Sequence, residues 1–183
     1  MRILVIALLT LLISGCSTLK IETDYDPKVS INPPQTFYIL QKKQVNENTL
    51  TIDRITKALN NALLQQGYKN STKDEADFLI LFHTGVTTKS RVVTDYKHVN
   101  MYPYSYGHGF GYGYGSYGSV IVPEQKNYTY KEGKLVVDAV FPKGNHIFWR
   151  GIAKDQLQSL GTPQERMEYI NTVIQKLMKK FPN

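Results

Sequence analysis

The chain contains one cysteine, Cys16, so no intramolecular disulfide can form in any redox environment. Long apolar runs are equally scarce. The one extended run covers residues 3–13, where Thr10 is the single polar side chain. Its eleven residues would rise roughly 16 Å as a helix, about half of a ~30 Å bilayer core, which is too short for a comfortable span. Catalytic signatures are missing as well. No serine stands in a Gly-x-Ser-x-Gly elbow, and no phosphate-binding glycine loop opens a helix after a strand. The four histidines, His83, His98, His108 and His146, fall in no metal-ligand spacing. A site from His98 and His108 across a hairpin is conceivable, but exposed or hydrogen-bonded histidines are the commoner outcome. Asp24 with Asp26, or Asp74 with Glu75 and Asp77, could pair as carboxylates, yet turn and capping acids of this kind are far more frequent. The expectation is a protein that is not an enzyme and holds no metal.

What is present begins with a leader. Arg2 followed by the apolar run has the layout of a signal peptide. Ile13, Ser14, Gly15 and Cys16 then resemble the lipobox of bacterial lipoprotein precursors. Small side chains at 14 and 15 let the backbone enter a peptidase that cuts between Gly15 and Cys16, and Cys16 supplies the chain's one thiolate for a thioether to diacylglycerol. An ordinary secretory leader with a chance cysteine is the competing reading. Covalent diacylglycerol and an N-acyl chain on Cys16 are the expected prosthetic groups, with no separate cofactor. Each buried methylene contributes about 0.8 kcal/mol, so two or three acyl chains give stable anchoring. Ser17, rather than Asp, follows the cysteine; by resemblance to lipoprotein sorting this implies the outer membrane of a diderm cell, facing the periplasm.

Loss of residues 1–15 leaves 168, enough for one domain with a real core. With 42% hydrophobic and 20% charged residues, the composition argues against disorder throughout. The net charge of +7 falls to about +6 without Arg2. A basic surface suits nucleic acid, anionic head groups, lipopolysaccharide or cell-wall polymers, and export removes nucleic acid from that set.

Residues 16–35 carry Pro27, Pro33 and Pro34 and read as anchor and tether, with residues 20–25 compatible with a short edge strand. The domain proper covers 36–183. Residues 36–40 read as a strand. Over 50–66, Ile52, Ile55, Leu59, Ala62 and Leu63 keep one helical face, with Thr51 as N-cap and Gly67 at the left-handed C-cap. Strands are expected within 77–94, 128–130, 134–141 and 146–153, with Gly133 and 142–145 as turns. Thr162, Pro163 and Glu165 open a last helix with an N-cap, a proline at N1 and a capping-box acid, and Pro182 ends it. Trp149 is the chain's one tryptophan; as a strand residue it shares a face with Ile147, with Arg150 opposite, and core packing is the better reading. The fold class is α+β: an antiparallel or mixed sheet with two helices on one face, plus a Gly/Tyr-rich hairpin or loop excursion.

That excursion, residues 102–118, holds six of 13 tyrosines and six of 13 glycines. Tyr102, Tyr104, Tyr106, His108, Phe110, Tyr112 and Tyr114 alternate with smaller residues, glycine from Gly107 onward. Extended, the strip puts every ring on one face, a candidate binding surface for sugars, another copy or a protein. A mobile loop is the alternative, since glycine is costly to order.

In order along the chain, Cys16, Asp24-Tyr25-Asp26, Gly67-Tyr68, Ala76-Asp77-Phe78, Glu132-Gly133-Lys134-Leu135, Trp149-Arg150-Gly151 and Phe181-Pro182 resemble the bacterial lipoproteins grouped as domain of unknown function 4136. Members of that family often carry a Gly- and Tyr-rich insertion at the position of 102–118. The resemblance implies no activity, ligand or catalytic residue. The functional expectation is therefore a non-enzymatic binding or envelope-assembly module, with an envelope protein or glycan as partner. The alternatives are a glycan binder for peptidoglycan or lipopolysaccharide that uses tyrosine stacking and lysines, and a hydrolase with an unrecognised site.

Overall fold

Thr36–Leu40 and the start of the Phe78–Asn100 strand run parallel, which requires a crossover between them, and the helix Thr49–Gln65 supplies it. The computed structural model describes residues 18–29, 35–41, 49–100, 119–143 and 146–182. Among these are six strands: Lys20–Tyr25 (β1), Thr36–Leu40 (β2), Lys69–Asn70 (β3), Phe78–Asn100 (β4), Ser119–Phe141 (β5) and His146–Gln156 (β6). They form one sheet in the order β1-β6-β5-β4-β2-β3. β6 is antiparallel to both β1 and β5, while β2 is parallel to β3 and β4. The sheet is mixed, and with the helices Thr49–Gln65 (α1) and Pro163–Met178 (α2) the fold is α+β.

The chain divides into two compact units, Met1–Thr87 with Lys131–Asn183, and Thr88–Tyr130. In the first, Ile55, Leu59, Ala62 and Leu63 of α1 and Ile174, Leu177 and Met178 of α2 bury their side chains in one core with Phe37, Phe78, Ile80, Val137 and Trp149 of the sheet. α1 ends where the chain turns left-handed. Gly67 has φ +93°, and the Tyr68 and Gly67 amides donate to the carbonyls of Leu63 and Leu64 at 3.1 Å each, closing a Schellman motif. Thr51, read from sequence as the N-cap, lies inside the helix, which starts at Thr49. α2 opens as its sequence indicates: the Glu165 amide donates to Thr162 Oγ1 at 3.1 Å, and the Glu165 carboxylate accepts from the Thr162 amide at 3.1 Å.

Two strand features depart from the sequence reading. Gly133 is not a turn: β5 runs through it without a break from Ser119 to Phe141. A Cβ there would come within 2.7 Å of Leu157 Cδ2, so the glycine lets a side chain pack against bare backbone. The second departure is a shift of register between Ala139 and Val140, where Ala139 faces Trp149 but Val140 faces Ile147. The extra residue breaks the alternation, so Phe148 and Trp149 are both buried and Ile147 is exposed, rather than sharing a face with Trp149.

In the second unit, Lys97 pairs with Glu124 at 2.7 Å and Lys126 with Asp95 at 2.9 Å. Partner numbers fall as the others rise, the signature of antiparallel strands. Val92, Tyr96, Ile121 and Tyr128 are exposed here, residue types that favour strands without supplying a core. The Gly/Tyr-rich stretch 102–118 lies outside the described residues.

Candidate functional site: an apolar cleft between two helices and the sheet

Of the short motifs that carry the family resemblance, Gly67-Tyr68, Ala76-Asp77-Phe78, Trp149-Arg150-Gly151 and Phe181-Pro182 meet, and they build the core. Phe181 packs edge-on against Trp149 at 4.9 Å and Tyr68 at 5.6 Å between ring centroids, and lies 5.9 Å from Phe78. Burial raises the pKa of Tyr68, whose hydroxyl donates to the Pro182 carbonyl at 2.6 Å, while Trp149 Nε1 donates to the Lys180 carbonyl at 3.1 Å. A Cβ at Gly151 would collide with the Trp149 indole, so the glycine of Trp149-Arg150-Gly151 makes room for the ring. Arg150 faces away and clamps Asp138 with two bonds, Nε to Oδ1 at 2.6 Å and Nη2 to Oδ2 at 2.8 Å. That hydrogen bond and charge raise the pKa of Arg150, and the guanidinium neutralises a carboxylate that is 7% exposed.

Of the acids weighed as carboxylate pairs, Asp26, Glu75 and Asp77 bond to protein donors. Asp26 accepts from the Lys28 amide at 2.9 Å and lies 3.1 Å from His146 Nε2; the amide bond first, then His146, hold its pKa below the usual aspartate value. Asp77 accepts from the Thr36 amide and hydroxyl, both at 2.8 Å, tying the start of β2 to β4. Glu75 accepts from the Thr72 hydroxyl at 3.1 Å. His83 is exposed, and His98 lies in the other unit. His108, Gly15, Cys16 and the rings Tyr102, Tyr104, Tyr106, Phe110, Tyr112 and Tyr114 fall outside the described residues. Among the described residues, no three His, Cys, Asp or Glu side chains gather as a metal set, and no helix is long and apolar enough to cross a membrane.

The first unit also holds a cleft of about 520 Å³, within the usual ~300–1,000 Å³ of small-molecule sites. Ile52 and Ile55 of α1 face Ile170 and Val173 of α2 across it, with Leu135 and Ala153 of the sheet as its floor. Leu19, just before β1, and Leu157, just after β6, complete its wall. Its one carboxylate, Asp155, accepts from the Tyr169 hydroxyl at 2.8 Å and from the Thr18 hydroxyl. Burial, then the bond to Asp155, push the pKa of Tyr169 far upward, so its proton stays at every physiological pH. With that carboxylate occupied by protein donors, the cleft presents mainly aliphatic side chains.

A mixed six-stranded sheet with both helices on one core defines the fold class. The chain belongs to the DUF4136 family, a domain of unknown function whose model matches residues 21–183. No curated protein matches it significantly. Among solved structures, a PDZ domain protein from Parabacteroides distasonis is similar in fold, with TM-score 0.51 and 12% identity over 91% of this chain. The match spans 37% of that protein's length. A DUF4136 family protein from Bacteroides thetaiotaomicron aligns at TM-score 0.45 and 12% identity, over 87% of this chain and 95% of that one. A PelC dodecamer from Paraburkholderia phytofirmans aligns at TM-score 0.41 and 6% identity, over 87% and 94% of the two chains.

Proposed function

We propose that the chain is a lipid-anchored cell-envelope protein, acylated on Cys16, held on the outer membrane facing the periplasm, and acting as a non-enzymatic binding or assembly module. The observation that carries this reading is the closeness of the anchor to the fold. Thr18 already bonds to Asp155, and β1 begins at Lys20, four residues after Cys16. A protein so joined would be held against the membrane surface by its first strand rather than trailing on a long tether.

The non-enzymatic part rests on where the charged groups are spent. Asp26, Asp138 and Asp155 each bond to a side chain on another element, His146, Arg150 and Tyr169 in turn, and the cleft is walled mainly by aliphatic side chains. Such a wall suits an apolar group, and the hydroxyl of Tyr169 is bonded to the cleft's carboxylate, Asp155.

The test is expression of the full precursor in a diderm bacterium fed an alkyne-tagged palmitate, followed by membrane fractionation and intact-mass measurement. The expected product begins at Cys16, carries the tag and sediments with the outer membrane. A retained Met1, or a mature chain whose Cys16 sulfur is unmodified, would overturn the reading.

A further inference from the structure

We infer that the apolar cleft seats one acyl chain of the lipid carried by this protein's own Cys16, so that the anchor is shared between the membrane and the fold. The inference rests on the acylation proposed above and goes further in naming what fills the cleft. Three observations support it. Leu19 is itself part of the cleft wall, and Thr18 is tied to Asp155 beside it. Cys16 lies three residues before Leu19, a stretch of chain that reaches at most roughly 10 Å. The acyl groups would therefore start beside the cleft mouth, at a high effective concentration that no free lipid matches. The second observation is chemical: the lining is mostly aliphatic, with Thr51, Thr84, Lys134 and Tyr169 beside the carboxylate, and that carboxylate already accepts two protein hydroxyls, which suits a long apolar chain. The third concerns competition from the protein itself. Residues 42–48, which lead into α1, hold a single apolar side chain, Val45, among lysine, glutamine, asparagine and glutamate, and are poorly suited to fill such a space.

The size of the cleft admits one chain. A volume of about 520 Å³ has room for a single long acyl group and not for the two or three that a lipidated cysteine carries. The remaining chain or chains would stay in the bilayer.

A photoreactive anchor tests this. Cells producing the full precursor are fed palmitate bearing both an alkyne and a chain-borne diazirine, irradiated, and the tagged protein is purified and digested for mass spectrometry. The expected result is crosslinks, within one molecule, from the Cys16 lipid to peptides containing Ile52 and Ile55 or Ile170 and Val173. Ile170→Trp, which fills the cleft, should lower that crosslink about tenfold, the loss expected when roughly two methylenes' worth of burial is removed. Leu64→Trp, at an exposed position of α1 away from the cleft, should leave it unchanged. Leu157→Trp, on the exposed edge of the cleft, serves as a second filling variant if Ile170→Trp fails to give a cooperative melt. A Cys16 lipid that is present but crosslinks only to membrane lipid, to residues 42–48 or to a second protein molecule would overturn the cleft assignment and leave the anchor standing. Absence of tag on Cys16 would overturn both.

Discussion

Gly151 has no room for a methyl group. Its Cβ would run into the Trp149 indole and come within 2.8 Å of Leu177 Cδ1, and both neighbours are fully buried. Gly151→Ala is therefore expected to destabilise the fold by roughly 1–3 kcal/mol, as overpacking does, with the urea midpoint as the readout. An unchanged midpoint would show that the Trp149 pocket yields. The neighbouring ion pair should respond asymmetrically. The Asp138 side chain is 9% exposed and that of Arg150 is 44% exposed, so Arg150→Ala strands a buried carboxylate while Asp138→Ala leaves a guanidinium that water can reach. Allowing for the screening of the half-exposed partner, Arg150→Ala should cost about 2 kcal/mol and Asp138→Ala about 1 kcal/mol. Equal losses in denaturant titrations would argue that water reaches the Asp138 carboxylate once the arginine is gone.

At the scale of the element, the helix ends were legible because capping is local chemistry: Thr162-Pro163-Glu165 and Gly67 each satisfy backbone groups within a turn of themselves. Thr162→Ala should accordingly lower stability by about 1 kcal/mol, again read from the urea midpoint. The strands were legible in type but not in length. Gly133 has the composition of a turn, and only the distant Leu157 side chain shows why β5 continues through it. The pairing of Phe148 and Trp149 in one core depends on a register shift that no alternation rule foresees. The cleft was invisible for a related reason. Leu19, Ile52, Leu157 and Ile170 each look like ordinary positions on an apolar face, and only the packing of α1 against α2 leaves space between them. The β1–β6 edge carries a pH dependence of known sign. Asp26, at the end of β1, has its pKa lowered by the Lys28 amide and then by His146, so its contribution is present above the unfolded aspartate value and is lost as pH falls through the folded one. Stability measured from about pH 5 downward should therefore fall more steeply in the wild type than in Asp26→Asn. Parallel slopes would mean that the carboxylate's bonds are equally available in the unfolded chain.

For the whole molecule, the division of the chain matters more than its length. Among the described residues, every member of the buried hydrophobic cluster, from Phe37 to Phe181, lies in Met1–Thr87 or Lys131–Asn183. Among its described residues the second unit carries exposed ion pairs such as Lys97–Glu124 and Lys126–Asp95, which are individually weak and screened by salt. Its long strands expose Val92, Tyr96, Ile121 and Tyr128 and bury no apolar cluster among the described residues. Stability should thus reside in the first unit, and the second should be removable. Replacing Thr88–Tyr130 by a short glycine-containing turn between β4 and β5 is expected to leave one cooperative thermal transition, with Tm within about 4 °C of the parent, the displacement that a change of ~1 kcal/mol produces in a domain of this size. The cleft should survive too, because its wall residues, Val86 and Gly133 included, belong to the first unit. Circular dichroism melts of the two proteins decide the matter. A broad, non-cooperative transition in the shortened chain would mean that the long strands contribute to the fold's stability in a way their exposed side chains do not reveal.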